Sequence, residues 1–286
     1  MKVTRAAAPL LPLCERLLPT RLAGLSVALL KATALELAIL AGHLLLYPSG
    51  IIQERRTTPT PPSADAPRLP TEDKPPVVLL HGFIDNRSVF VLLRRALAQD
   101  GGRHLESLNY SPLTFDIRAA AELLGRHVED ICERTGRERV DIVGHSLGGL
   151  IARYYVQRLG GDHRVRTLVT LGTPHGGTQV APLANAHPIV RQMRPGSDVL
   201  EELCEPAPGC RTHFVAFWSD FDHVMVPVET ACVDHPDLMV RNVQVTGIGH
   251  LALPVHPTVA NEIRQALDAA PTATRPAARP GGLTVA

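Results

Sequence analysis

The chain has 286 residues, a formal net charge of +1 at pH 7 and an apolar content of 45%. This length and apolar content suffice for one globular domain with a substantial core, plus additional segments. The near-zero charge, without any basic cluster interleaved with aromatic residues, argues against a nucleic-acid partner.

The first predicted element is an apolar helix over Leu22 to Tyr47, which has the length of a membrane span. Lys31 and Glu36 place two charges in it, and a charge at the centre of a span costs about 2.5 to 3.5 kcal/mol of insertion free energy. Three interpretations therefore stay open: a membrane anchor, an export signal, and a soluble helix packed on the domain. The first two place the protein in the cell envelope or outside the cell, which we favour over the cytoplasm.

The composition divides the chain into four parts. Residues 1–50 form the N-terminal hydrophobic segment, and residues 51–75 form a Pro-rich linker, which is typically semi-extended. Residues 76–268 form the predicted catalytic domain. Residues 269–286 are again poor in large apolar residues and are predicted to be a disordered tail.

Apolar strand-like runs alternate with helical patterns inside the domain. The predicted strands are residues 76–80, 104–110, 139–143, 166–171, 212–218 and 240–246. The predicted helices are residues 88–98, 116–134, 147–159 and 257–267. This alternation predicts an α/β fold with a mostly parallel sheet of about six strands, helices on both faces and no large cap. Catalytic groups in such sheets lie at the carboxyl ends of the strands.

Ser146 stands at one of those carboxyl ends, where the third strand becomes a helix. Gly144 and Gly148 flank it at two residues on either side. A turn this sharp crowds the backbone, and glycine removes the Cβ atoms that would collide. The pattern indicates a nucleophile elbow, with the serine hydroxyl near the positive end of a helix dipole.

A serine nucleophile needs a base and an acid that orients the base. Asp220 and Asp222 both follow the fifth strand, and His250 follows the sixth. The chain order Ser, Asp, His is the order of the α/β-hydrolase fold. Either carboxylate fits the acid position on spacing alone.

Five motifs in order resemble the bacterial lipases and esterases of the α/β-hydrolase superfamily. They are His81-Gly82-Phe83, Gly144-His145-Ser146-Leu147-Gly148-Gly149, Leu171-Gly172-Thr173-Pro174-His175-Gly176-Gly177-Thr178, Ser219-x-x-Asp222 with Val226-Pro227, and Gly249-His250-Leu251. The resemblance covers about residues 76 to 265, which is nearly the whole predicted domain.

This resemblance implies a catalytic triad of Ser146 as nucleophile, His250 as general base and Asp222 as orienting acid, with Asp220 as the competing acid. It also implies an oxyanion hole made by the backbone N–H groups of Phe83 and Leu147. The implied reaction is hydrolysis of a carboxylic ester through an acyl-serine intermediate, without a cofactor. The implied substrate is an acyl ester or lipid, and the resemblance favours a lipase.

The other histidines of the motifs have structural interpretations. His145 is expected to pack beside the nucleophile and His81 to order the oxyanion loop, whereas His175 and His256 are expected to be structural. The histidines are too scattered in the sequence to predict a metal site. Cys204 and Cys210 bracket a turn-rich stretch and are the preferred disulfide pair, with two unpaired thiols as the alternative.

The segment from Gln179 to Leu203 follows the Gly-Gly-Thr loop, at the place where relatives form part of the substrate wall. It offers an apolar face made of Val180, Leu183, Ile189, Val190 and Met193. The alternative is a helical segment packed on the sheet. For the whole protein, two other functions stay open beside ester hydrolysis: acyl transfer or lipid remodelling with the same triad, and a non-catalytic binding module.

Overall fold

A seven-stranded parallel sheet forms the centre of the structure, a computed structural model that describes residues 20–56, 74–83, 85–99, 103–110, 116–179, 187–269 and 281–284. The strands are β1 (Val77–Leu80), β2 (Leu105–Leu108), β3 (Val140–His145), β4 (Val165–Leu171), β5 (His213–Ser219), β6 (Met239–Thr246) and β7 (Gly281–Thr284). Their spatial order is β2-β1-β3-β4-β5-β6-β7, and every neighbouring pair is parallel. The α/β fold predicted from the alternation of elements is confirmed.

Seven α-helices accompany the sheet in the described residues. They are α1 (Thr20–Arg56), α2 (Val91–Ala98), α3 (Ile117–Thr135), α4 (Leu147–Arg158), α5 (Pro188–Gln192), α6 (Asp198–Glu202) and α7 (Pro257–Asp268). Local signals set their ends. The Asp116 side chain caps the start of α3 by accepting a hydrogen bond from the Arg118 N–H at 2.8 Å. Gly136, with φ of 69°, ends the same helix in the left-handed region.

Two apolar clusters, one on each face of the sheet, form the core. Val78 and Leu80 of β1 belong to the cluster that includes α3 and α4, whereas Val77 and Leu79 belong to the cluster that includes α2 and α7. Successive side chains of a strand point to opposite faces, so a strand that is apolar at every position is buried from both sides. Burial of both faces of the sheet therefore explains the continuous apolar runs in the sequence.

The sheet has seven strands against the predicted number of about six, because Gly281–Thr284 pairs with β6 in parallel register. These four residues lie within the segment predicted as a disordered tail. An edge strand such as β6 presents unpaired N–H and C=O groups, and these bind a neighbouring backbone whatever its side chains. The pairing therefore leaves no compositional signal. The rest of the predicted tail beyond Ala269, except for β7, lies outside the described residues.

Helix α1 is longer than its apolar stretch, with 37 residues and a length of about 55 Å. It runs to Arg56, so the first residues of the predicted linker are helical, and residues 57–73 lie outside the described part of the chain. Val27–Ile51 are long and apolar enough to cross a membrane by length and composition, a property that signal sequences and core helices share.

One face of α1 packs on the domain. Between residues 27 and 51, the buried and half-buried residues recur every three or four positions, which is the spacing of a single helix face. They are Ala28, Ala32, Glu36, Ile39, Gly42, His43, Tyr47 and Gly50. In the structure, α1 is thus in contact with the domain along most of this stretch.

Candidate active site

Ser146 lies at the turn between β3 and α4 and has a strained backbone, with φ of 52° and ψ of −120°. A non-glycine residue in this region is uncommon and marks a site where the surrounding structure imposes the conformation. A Cβ on Gly144 would lie 2.6 Å from the backbone of Gly149, and one on Gly148 would lie 2.6 Å from the His81 carbonyl oxygen. Both contacts are with backbone atoms, so only glycine fits at either side of the serine.

Asp222 and His250 are brought together by the loops after β5 and β6. The His250 Nδ1 atom lies 2.7 Å from Asp222 Oδ2, and both side chains are buried. The second oxygen of Asp222, Oδ1, accepts hydrogen bonds from the N–H groups of Val224 and Met225 at 2.9 and 3.0 Å. These bonds hold the carboxylate in one orientation toward the imidazole.

Asp220, the competing acid, is exposed and has a different hydrogen-bond partner. Its Oδ1 accepts a hydrogen bond from the Gly247 N–H at 3.2 Å, which ties the loop after β5 to the loop after β6. The geometry therefore favours Asp222 over Asp220 as the partner of His250.

The electrostatic surroundings of His250 favour its charged form. Burial lowers the pKa of His250, but the charge and hydrogen bond of Asp222, with smaller contributions from Glu36 and Asp85, raise it further than burial lowers it. The net pKa lies above the ordinary value. A histidine in this state holds a proton readily when it receives one from a nucleophile.

The loop that carries His250 packs directly on the nucleophile elbow. The His145 ring lies 4.7 Å from the His250 ring, and its Nε2 is 3.3 Å from the His250 carbonyl oxygen, which it reaches as a donor. Gly172, after β4, has φ of 52°, and a Cβ there would lie 2.9 Å from both Asp222 Oδ2 and His250 Nδ1. The next residue, Thr173, donates to the Ser146 carbonyl oxygen at 3.0 Å. The Gly-Thr motif thus supports both the serine and the Asp–His pair.

The loop after β1 approaches the serine from the other side. A Cβ on Gly82 would lie 3.3 Å from the Ser146 Cβ atom, so Phe83 follows a residue in close contact with the elbow. Leu147 is the first residue of α4, where a helix leaves its N–H groups without an intrahelical partner. Of the two residues predicted for the oxyanion hole, Leu147 follows Ser146 directly, and Phe83 follows Gly82, which approaches the Ser146 side chain.

The remaining motif histidines have structural contacts. His81 stacks on Tyr110 at 4.2 Å, and its Nδ1 is 2.9 Å from the Gly82 carbonyl oxygen; burial lowers its pKa to about 4. His175 is buried between Thr170 and Arg153. His256 caps α7 by accepting a hydrogen bond from the Thr258 N–H at 3.3 Å.

Two acidic residues near the site escaped the sequence analysis. Asp85 lies in the loop after β1, with Oδ2 at 3.9 Å from His145 Nδ1, and burial raises its pKa to about 6 although the positive charge of His250 lowers it. Glu36 of α1 accepts hydrogen bonds from the two residues that follow His250. The one feature of the sequence that could have identified Asp85 as a site residue is its position just after the end of β1. No sequence motif identifies Glu36 as a site residue.

The segment predicted as a substrate wall is mostly core in its described part. Ile189, Val190 and Met193 are buried in the cluster that contains α3 and α4, which matches the alternative of a helical segment on the sheet. Val180 and Leu183 lie outside the described residues. The expected disulfide is also absent: Cys204 and Cys210 are free thiols, since Cys204 is exposed whereas Cys210 packs against the core.

Among the residues that the structure describes, no group of three or more His, Cys, Asp or Glu side chains is arranged to hold a metal ion. The structure joins Asp222 to His250 by a hydrogen bond and packs the His250 ring against His145, the residue before Ser146. A serine, a histidine and an aspartate are the residue types that together can attack an electrophilic carbonyl.

Comparison with known proteins gives matches over part of the chain. Residues 75–197 match a family described by the α/β-hydrolase fold. A triacylglycerol lipase from Pseudarthrobacter phenanthrenivorans is 37% identical over 60 residues, which are 21% of this chain and 18% of that lipase. The chain thus matches only a small share of the length of this relative.

Solved structures agree with the fold. Aspergillus fumigatus lipase B superposes with a TM-score of 0.61 at 15% identity, over 68% of this chain and 53% of that one. The mature form of the Bacillus licheniformis lipase BlEst2 superposes with a TM-score of 0.57 at 16% identity, over 72% of this chain and 96% of that one. At these identities, the likeness concerns the fold.

Proposed function

We propose that the chain is a member of the α/β-hydrolase superfamily, whose family model matches residues 75–197, and that it is a serine hydrolase of carboxylic esters, acting as a lipase on triacylglycerol or another acyl lipid. The observations that support this most are the strained Ser146 at the turn between β3 and α4, and the buried Asp222–His250 pair, whose His250 ring packs against His145, the residue before Ser146. Strain at a polar residue between a strand end and a helix start is typical of a nucleophile elbow.

In the proposed reaction, Ser146 Oγ attacks the ester carbonyl carbon and its proton passes to His250 Nε2. Because the Nδ1–H group donates a hydrogen bond to Asp222, the neutral ring has its lone pair on Nε2. This lone pair accepts the serine proton when His250 acts as a base. The carbonyl oxygen becomes an oxyanion, and the N–H groups of Phe83 and Leu147 stabilise it. One such donor is worth about 3 to 4 kcal/mol of transition-state stabilisation.

Collapse of this intermediate breaks the ester C–O bond, and His250 gives its proton to the leaving alcohol. The acyl group then remains on Ser146. Water attacks the acyl-serine by the same route, with His250 as base, and releases the carboxylic acid and the free serine. Asp222 holds the ring orientation in both halves and stabilises the imidazolium.

A membrane location is part of the proposal, through the segment Leu22 to Tyr47. Large apolar side chains of α1 are exposed on the faces that do not contact the domain. They are Val27, Leu29, Leu30, Leu35, Leu37, Leu40, Leu44, Leu45, Leu46 and Ile51. An exposed apolar surface of this kind marks contact with another protein or a lipid, and a lipid surface suits an acyl-lipid substrate and a place in the cell envelope.

The test is hydrolysis of p-nitrophenyl esters from acetyl to palmitoyl by the full chain and by Ser146→Ala. We expect turnover that falls by at least about 10⁴-fold in the variant, because the nucleophile is lost. A fluorophosphonate should label Ser146 in the native chain. An optimum at long acyl chains would support a lipase rather than a short-chain esterase.

Equal turnover in Ser146→Ala, or no labelling of Ser146, would contradict the proposal. Ester product in excess of free acid when an alcohol is added would instead identify acyl transfer.

A further inference from the structure

Glu36 is the single acidic residue between Leu22 and Tyr47 of the sequence. A carboxylate in such an apolar helix is costly wherever the helix is surrounded by lipid. In the structure, Glu36 lies on the face of α1 that meets the domain, and its side chain has specific partners there.

Both carboxylate oxygens of Glu36 bind the loop that carries His250. Oε2 accepts a hydrogen bond from the Leu251 N–H at 2.9 Å, and Oε1 accepts one from the Ala252 N–H at 2.9 Å. A Cβ on Gly249 would lie 2.5 Å from the Glu36 carboxyl carbon, so a larger residue before His250 would displace the Glu36 carboxylate from its present position. Hydrogen bonds to an ionised carboxylate are short and strong, and two of them fix an orientation.

The same helix also holds the other loop that flanks Ser146. Asn86, which is buried, follows Phe83 by three residues and donates from Nδ2 to the Tyr47 carbonyl oxygen at 2.9 Å. Its Oδ1 accepts from the Ser88 N–H at 2.9 Å, which anchors the loop to the short helix after it. Helix α1 therefore contacts both the loop after β1, which carries Phe83 and Asn86, and the loop after β6, which carries His250.

We propose that Glu36 is a positioning residue for His250 and that the docked helix α1 is a structural part of the active site. By binding two successive N–H groups, Glu36 fixes the turn after His250 and so the direction of the imidazole toward Ser146. The proposal rests on the proposed function, because the role of His250 as base belongs to it. Misplacement of a catalytic group by about 1 Å costs on the order of 10²-fold in rate.

The charge of Glu36 acts in the same direction as its hydrogen bonds. It raises the pKa of His250 together with Asp222 and Asp85, whereas the fully buried His145 faces His250 as a neutral ring, its own pKa lowered by burial. Removal of the Glu36 charge should therefore lower the pKa of His250. A group that served packing alone would leave that pKa where it is.

The experiment compares Glu36→Ala and Glu36→Gln in the full chain with Lys31→Gln, which removes a charge from the exposed face of the same helix. Three readouts are used: kcat and KM on a p-nitrophenyl ester, the pH profile of kcat/KM, and hydrogen–deuterium exchange of the peptide spanning residues 247–256. The exchange readout reports the loop itself and needs no activity.

We expect Glu36→Ala to lower kcat about 10- to 100-fold with KM within about twofold, and to speed exchange in the 247–256 peptide. Glu36→Gln keeps one acceptor oxygen, so it should lose less activity and still move the acidic limb of the profile to lower pH. Lys31→Gln should match the native chain in all three.

Unchanged kcat and exchange in Glu36→Ala would overturn the proposal, and so would faster exchange spread evenly over the whole chain. A native chain that hydrolyses no ester, but whose 247–256 peptide exchanges faster only when Glu36 is replaced, would refute the proposed function and leave the positioning of this loop by α1 supported.

Discussion

At the scale of single residues, the site depends on a conformation that most side chains avoid. Ser146 has a positive φ, and the glycines two residues before and after it face backbone atoms. Ser146 stands at the tip of the turn, and the surrounding strands and helix impose its backbone conformation. Proteins keep such strain where it serves chemistry.

The Asp222–His250 pair leads us to expect that the ester turnover depends on pH. The pKa of His250 lies above its ordinary value, and the base acts only when neutral. We therefore expect kcat/KM to fall as the pH drops through a pKa above about 6.5. Asp222→Asn removes the charge that contributes most to this rise, so its residual activity should show an acidic limb at lower pH. Its kcat should fall by about 10⁴-fold, since the amide no longer holds the Nδ1–H tautomer.

The measurement is a pH–rate profile of the native chain and of Asp222→Asn, between about pH 4 and pH 9. It is recorded at a saturating ester concentration for kcat and at a sub-saturating one for kcat/KM. Asp220→Asn is the matched control, because Asp220 is exposed and contacts Gly247 instead of His250. A loss in Asp220→Asn as large as that in Asp222→Asn would show that the acid had been misassigned.

At the scale of elements, helix α1 contributes contacts to the candidate site that its sequence did not predict. Its domain-facing side carries a buried or half-buried residue at each turn between residues 28 and 50. Glu36 bonds to the loop after β6, and the Tyr47 carbonyl bonds to the loop after β1. Small residues allow this approach: a Cβ on Gly50 would overlap the Asn86 side chain, whereas nothing lies within 4 Å of a Cβ on Gly42. The two glycines therefore offer a matched pair in one helix.

We expect Gly50→Ala to break the bond from Asn86 to the Tyr47 carbonyl and to lower kcat several-fold, since the oxyanion loop loses its anchor. Gly42→Ala makes the same gain in helix propensity without a collision, and should raise the free energy of unfolding by about 0.5 to 1 kcal/mol with kcat unchanged. Thermal unfolding and ester turnover of both variants check this. Equal behaviour of the two would mean that α1 does not hold this loop.

At the scale of the whole molecule, the distribution of apolar surface is uneven. The exposed large apolar residues of the described chain are concentrated on α1, with few on the remaining elements. This surface adjoins the helix face that contacts the catalytic loops. A lipid layer bound to it would contact the same helix that holds the loops after β1 and β6.

We expect the full chain to co-sediment with phosphatidylglycerol–phosphatidylcholine vesicles and Leu45→Glu to do so more weakly, because a charge at an apolar membrane contact is unfavourable. Leu45 is 82% exposed, so the change should leave the fold intact. Leu92→Glu on α2 makes the same substitution at a side chain that is 54% exposed, and should sediment like the native chain. Native protein that stays in the supernatant would refute a membrane contact through α1.

Most of the fold followed from patterns within single segments. The run at β1 is apolar at every position, and β3 and β4 are mostly apolar, because both sheet faces are covered; this property is visible in the sequence. The sharp turn at Ser146 was equally visible in the sequence. A glycine two residues before and two residues after the serine indicates a turn too crowded for a Cβ atom at either position. The pairing of β7 with β6 was not visible, because a backbone ladder does not require particular side chains.

The sequence by itself determined the parallel sheet, the strained serine and the candidate acid and base, since each depends on local periodicity, turn chemistry or the order of strand ends. The resemblance already favoured Asp222 over Asp220, but only the tertiary structure shows the physical difference: Asp222 bonds to His250, whereas Asp220 bonds to the Gly247 N–H. The tertiary structure alone also brought Glu36 to the His250 loop, across more than 200 residues of chain. Contacts of this kind depend on where two surfaces meet, and no local pattern records that.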